Sequence, residues 1–184
     1  AYGIEGVEKY GVCSERTCPY PTSGGMTGPY RIKVSATINT PPQNICYVEA
    51  KKATPWLPFS YREIPRVLAD LKEVLVQENP IIFSLQLFES FNSEAVQRTG
   101  LVPMPQKKEK KDENHALLMV GYDDKKQRGS FLVQNSWGKS WGIEGCCYIP
   151  YDYVLKFGSD FWAIIAQKRI QEAVTSPRLK KRRL

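Results

Sequence analysis

The sequence predicts an α+β chain, mostly antiparallel sheet, with roughly six short strands and one main helix. Two apolar runs, Ala116-Leu117-Leu118-Met119-Val120-Gly121-Tyr122 and Phe131-Leu132-Val133-Gln134, flank the polar stretch Asp123–Gly129, which has the composition of a hairpin turn. Behind Pro65, the residues Val67, Leu68, Leu71, Val74 and Leu75 form one apolar stripe, with Asp70, Lys72, Glu73 and Gln77 opposite, as on an amphipathic helix. The other apolar segments are short and punctuated by Gly, Pro, Asn and Asp, which suits strands better than helices.

Composition sets outer limits. A chain of 184 residues, 42% hydrophobic, can bury one sizeable core with no need of metals or disulfides, and nothing in it calls for a cofactor. No apolar run approaches the ~20 residues of a membrane span. The chain has no charged-then-apolar leader and no initiator Met, and opens on Ala1 inside a helical pattern, which predicts a processed product or a fragment. Five cysteines is an odd number, and Cys146 and Cys147 are adjacent, so no regular disulfide framework is expected.

In chain order, Ile4, Val7 and Tyr10 sit at helical spacing and Gly11 closes them, so residues 1–12 read as the end of a helix. Residues 21–30 are rich in Gly, Pro, Ser and Thr and read as loop. Arg31–Ile38 and Asn44–Val48 alternate apolar and polar and read as strands, separated by Pro41-Pro42. Residues 53–64 read as a Pro-rich loop before the helix, which Asn79-Pro80 ends. Ile81–Phe88 is continuously apolar apart from Ser84 and Gln86 and reads as a core strand. Residues 89–113 lack periodicity, and Lys107–Glu113 reads as a solvated, mobile loop. Gly145–Ile149 and Asp160–Gln167 read as two more strands, joined by an aromatic stretch through Tyr153.

The chemistry-bearing residues cluster around the predicted hairpin. His115 is the only histidine and precedes the first hairpin strand, while Asn135 ends the second. Pairing the strands brings them together at one end, where the carboxamide can hold one imidazole nitrogen while the other faces a reacting group. Asn135 opens the block Asn135-Ser136-Trp137-Gly138-Lys139-Ser140-Trp141-Gly142, whose indoles, each followed by Gly, suit aromatic walls against close backbone. His-Ala before a strand, then Asn-Ser-Trp-Gly-x-x-Trp-Gly, resembles the papain family of cysteine peptidases.

That resemblance runs from about residue 1 to about residue 168 and implies the β-rich, barrel-like half of a papain-like fold, with residues 1–12 the end of a helix from the helical half. It implies His115 as general base, Asn135 as its orienting residue, Trp137 as the ring shielding their contact and Trp141 as a wall of the leaving-group side. Asn114 falls beside His115 on the cleft wall, and a gapless match after Pro80 sets Ser84 near the pocket for the second residue before the cut. Gly11–Tyr20 resembles the family's segment ending in Tyr-Pro-Tyr, with Cys18 in place of the first Tyr. No cofactor or metal is implied, and the substrate is a protein or peptide.

The family's nucleophile lies in a Cys-Gly-(Ser/Ala)-Cys-Trp block ~130–150 residues before its His and Asn. No such block occurs between residues 1 and 184, nor does the Gln-containing stretch that helps build the oxyanion hole. Cys13 and Cys18 lack the helix N-terminus that lowers a thiol pKa. Cys46 alternates within a predicted strand, and Cys146 and Cys147 stand where the family usually has Tyr or Phe. The expected partner is therefore an N-terminal Cys-bearing segment or chain.

Residues 169–184 form a separate basic tail, Arg178-Leu179-Lys180-Lys181-Arg182-Arg183-Leu184 supplying five of the seven net positive charges. The tail reads as a disordered end; contact with nucleic acid or another anionic surface is the sharper alternative, without aromatic residues for base stacking. Three function classes follow: the base-bearing part of a cysteine endopeptidase, an inactive homologue serving as a structural or binding subunit, and a nucleic-acid-associated protein working through its tail.

Overall fold

The computed structural model describes residues 2–14, 16–18, 42–53 and 59–166. They belong to two compact units, residues 1–59 and 60–184. The strand expected at Arg31–Ile38, the loop at 21–30 and the basic tail lie outside the described residues.

In the first unit, α1 spans Tyr2–Tyr10 and α2 spans Asn44–Ala53. Gly11 ends α1 as its sequence predicts, with φ +79° and its N–H donating to the Val7 carbonyl at 2.8 Å. The strand expected at Asn44–Val48 is instead the first half of α2. Its alternation covers only five residues, whereas Glu49-Ala50-Lys51-Lys52 continues it with good helix formers and places cations at the C-terminal end. Cys46 and Ala50, four residues apart, are its buried side chains.

The second unit carries, apart from the first residue of β1, β1 (Phe59–Glu63), α3 (Leu68–Val76), β2 (Ile81–Phe88), a 3-10 turn (Glu89–Asn92), α4 (Glu94–Thr99), β3 (Lys111–Asp123), β4 (Ser130–Gln134), β5 (Cys146–Pro150), α5 (Tyr151–Phe157) and β6 (Gly158–Ala166). Its six strands form one open sheet in the order β1-β6-β2-β3-β4-β5, and the pairs from β6 through β5 are antiparallel. The α+β class matches the sequence reading, and five of the six strands, β2 to β6, fall where strands were expected.

Five helices occur among the described residues; α1 and α3 fall where helices were expected, while α2, α4 and α5 were not read. The unread ones are short. α4 is set by its ends, Ser93 Oγ accepting from the Val96 N–H and Gly100 closing it at φ +64°, and it buries only Val96, too little to leave a periodic signal. β1 forms inside the expected Pro-rich loop because an edge strand takes its ladder from its neighbour and needs no apolar pattern of its own. Lys111–Glu113, expected in a mobile loop, begin β3, paired there beside Phe88 and Gln86 of β2. The turn before them is held by the Glu109 carboxylate, which accepts from the Ser90 N–H at 2.6 Å and the Gln106 N–H at 2.8 Å.

α3 starts at Leu68, three residues past Pro65, and buries Leu71, Val74 and Leu75, while Val67 stands outside the stripe and exposed. β2 is apolar on one face and mixed on the other, and its burial follows: Ile81, Phe83 and Leu85 are fully covered, Ile82 and Ser84 half-covered. The covered row continues onto β3 through Leu117 and Met119, and Phe83 stacks on Phe161 of β6 at 5.5 Å.

One polar cluster ties α3 and α5 to the β3–β4 turn. Lys72 Nζ donates to both carboxylate oxygens of Asp124 at 2.7 and 2.9 Å, and the Tyr151 hydroxyl donates to Asp124 Oδ1 at 2.7 Å. The Lys72 ammonium, then the Tyr151 hydroxyl, hold the Asp124 carboxyl below the usual carboxylate range. A depressed folded-state pKa contributes stability above the unfolded value near ~3.9, lost as pH falls through the folded value. Asp124→Asn should therefore be less stable than the parent at neutral pH, with the two denaturation midpoints converging as pH drops below about 4.

Candidate active site

The β3–β4 register explains how two residues twenty positions apart meet. Leu118 pairs with Gln134 and Met119 with Val133. Asn135 therefore follows β4 on the face of Met119 and Leu117, and His115 lies two residues further along β3 on that same face. The side chains bond directly, His115 Nε2 to Asn135 Oδ1 at 2.8 Å.

The direction of this bond is fixed by its neighbours. The Ser136 N–H also donates to Asn135 Oδ1 at 2.8 Å, so that oxygen is an acceptor and Nε2 carries the proton. The tautomer leaves the lone pair on Nδ1, the nitrogen turned away from Asn135. Asn135 is buried and its N–H donates to the Gly145 carbonyl at 2.9 Å, which holds the residue past the end of its strand.

One aromatic ring, Trp137, packs on His115, and two more pack on Trp137. Trp137 lies 5.2 Å from the His115 ring at a tilt of 31°, with 42% of its surface exposed. Trp141 is buried and meets Trp137 edge-on at 5.3 Å. Phe91 of the 3-10 turn completes the group, 5.6 Å from Trp141 and 5.7 Å from Trp137. The Trp137 ring lies against the His115 imidazole. Sequence reasoning missed Phe91, whose only signal was a lone aromatic in a stretch without periodicity.

Two of the expected residues stand outside this group. Asn114 is exposed and pairs with Gln86, one position from His115 and on the opposite sheet face. Ser84 pairs with Ala116, also on that opposite face, and is half-buried.

The glycines of the tryptophan block are structural. Gly142 has φ +61°, and a Cβ there would run into the Cys146 carbonyl oxygen. Its N–H donates to the Gln97 carbonyl at 2.7 Å, pinning the loop to α4. Gly142→Ala should cost at least about 1–2 kcal/mol from left-handed strain alone, read as a lower thermal midpoint, while a substitution at the exposed Lys139 should leave it unchanged.

The model of the papain family cysteine proteases matches residues 2–158, a span that contains every member of this group. The chain belongs to the papain family of cysteine proteases. An uncharacterized peptidase C1-like protein of Acanthamoeba polyphaga mimivirus is 33% identical over 169 residues, covering 88% of this chain and 50% of that protein. A viral cathepsin of Cydia pomonella granulosis virus is 35% identical over 82 residues, covering 45% of this chain and 23% of its own length. Among solved structures, xylellain, a cysteine protease from Xylella fastidiosa, superposes with a TM-score of 0.71 at 27% identity, covering 90% of this chain and 60% of that one. This papain-family chain thus spans half the length of its mimivirus relative.

Proposed function

We propose that residues 1–184 are the base-bearing portion of a papain-type thiol endopeptidase, whose nucleophilic cysteine lies on a segment N-terminal to Ala1. The observation that carries this reading is the 2.8 Å bond between His115 Nε2 and Asn135 Oδ1, with Trp137 against the imidazole, an arrangement that leaves Nδ1 for a thiol.

In this reading the thiol gives its proton to Nδ1, and the thiolate–imidazolium pair stays ionised at neutral pH because each charge stabilises the other. The thiolate attacks the peptide carbonyl carbon. Nδ1–H then protonates the leaving amine as the C–N bond breaks, leaving a thioester. A water molecule gives a proton to Nδ1 as its oxygen attacks the thioester, and the thiolate departs. Asn135 keeps the ring in one orientation throughout, while Trp137 and Trp141 wall the leaving-group side. On the sheet face opposite His115, Asn114 and Ser84 are assigned by the family match to the cleft border and to the pocket for the residue two before the cut.

Three of the chain's own cysteines are poorly suited to the nucleophile's task. Burial pushes the Cys13 thiol up, and pushes Cys18 and Cys147 up to about 12, so they stay protonated at neutral pH. The test is hydrolysis of a peptide amide by the protein carrying its upstream segment, under reducing conditions. Thiol-dependent turnover supports the reading. A folded protein that turns over no peptide but retains a binding partner supports the inactive structural or binding subunit instead.

A further inference from the structure

Three of the five cysteines converge in the first unit. Cys13 lies just past α1, Cys18 follows a turn, and Cys46 sits on the first turn of α2. Their sulfur atoms all lie within 4.8 Å of one another. In a tetrahedral zinc–thiolate centre, with Zn–S near 2.3 Å, the sulfurs are about 3.8 Å apart, so the trio is within about 1 Å of closing on an ion.

The backbone holds them there. The Cys18 and Thr17 N–H groups both donate to the Ser14 carbonyl, at 3.0 and 3.1 Å, folding the loop so that its two cysteines come together. The Ser14 N–H donates to Glu49 Oε1 at 3.0 Å, and the Cys46 thiol donates to the Thr17 carbonyl at 3.8 Å, which fastens the loop to α2. A disulfide would use two sulfurs and leave the third, whereas a metal ion uses all three.

We propose that Cys13, Cys18 and Cys46 form a three-thiolate site for a thiophilic ion, zinc(II) or copper(I). An all-sulfur donor set selects these soft ions over magnesium or calcium. Copper(I) is satisfied by three thiolates, while zinc takes one further donor such as water. Binding displaces the thiol protons and gives up the Cys46–Thr17 hydrogen bond. In exchange it clips the loop to α2. The sequence alone, which calls for no metal, sets Cys46 within a strand.

The test uses the full-length protein, reduced and stripped of metal, titrated with zinc(II) and separately with copper(I) against a chromophoric chelator. The parent should take up one equivalent more of at least one ion than Cys18→Ser or Cys13→Ser, and Cys146→Ser should match the parent. Saturation should raise the parent's thermal midpoint by several degrees and leave that of Cys18→Ser unmoved. Cys46 is buried, so Cys46→Ser risks the fold; the half-exposed Cys18 supplies the decisive variant, with its metal-free midpoint as the check on folding. Equal uptake of both ions by the parent and Cys18→Ser overturns the proposal. So does the absence of uptake by the reduced parent, and a disulfide between two of these cysteines would then account for their closeness.

Discussion

His115→Ala should reduce peptide hydrolysis by the full-length protein by roughly four to six orders of magnitude, the loss typical when the base of a nucleophile–base unit is removed. The effect is large because one side chain does two jobs in the proposed chemistry. It keeps the attacking thiol ionised, and it delivers the proton without which the amine cannot leave. The substitution should barely affect folding, since His115 is half-buried and, among the described residues, its side chain hydrogen-bonds to Asn135 alone. Kinetics under single-turnover conditions, with thermal denaturation as the control, checks both halves. Activity within tenfold of the parent would remove His115 from the mechanism.

Asn135→Ala should cost less, about 10²- to 10³-fold in kcat. Replacing the orienting carboxylate of a serine triad with the wrong tautomer partner costs about 10⁴-fold. Asn135 stabilises no full charge, so its loss forfeits orientation and tautomer control while the base remains. The imidazole should then swing between Trp137 and solvent, lowering the fraction of enzyme with Nδ1 aimed at the thiol. Because Asn135 is buried and its Oδ1 also accepts from the Ser136 N–H, some loss of stability should accompany the change. Burst kinetics separates the two effects, since a folding defect lowers the burst amplitude and a misoriented base lowers its rate. Equal losses for Asn135→Ala and His115→Ala would contradict this division of labour.

The site was readable because its signals are local and composition-specific. A lone His before an apolar run, and Asn ahead of two Trp-Gly pairs, define a hairpin end in which period-2 geometry leaves one possible face for both side chains. Phe91 was not readable. It reaches Trp137 and Trp141 from a short 3-10 turn, and its contribution arises from tertiary packing. The sheet followed from the apolar runs Ile81–Phe88 and Ala116–Tyr122, but β1 did not, because an edge strand's ladder comes from its neighbour. α2 was misread for a related reason. Five alternating residues fit a strand until the next four, strong helix formers, are counted with them. The same misreading hid the thiol cluster, since a helix turns Cys46 toward the loop of Cys13 and Cys18 while a strand gives no reason to group them.

The most direct measurement is labelling of the full-length protein with a peptide-based, active-site-directed thiol reagent, followed by digestion and mass mapping. One labelled cysteine is expected, upstream of residue 1, with the rate of labelling collapsing in His115→Ala because the thiolate loses its imidazolium partner. Rapid labelling of Cys13, Cys18, Cys46, Cys146 or Cys147 with matching peptidase activity, or a labelling rate indifferent to His115→Ala, would contradict the assignment of His115 as the base of a thiol peptidase.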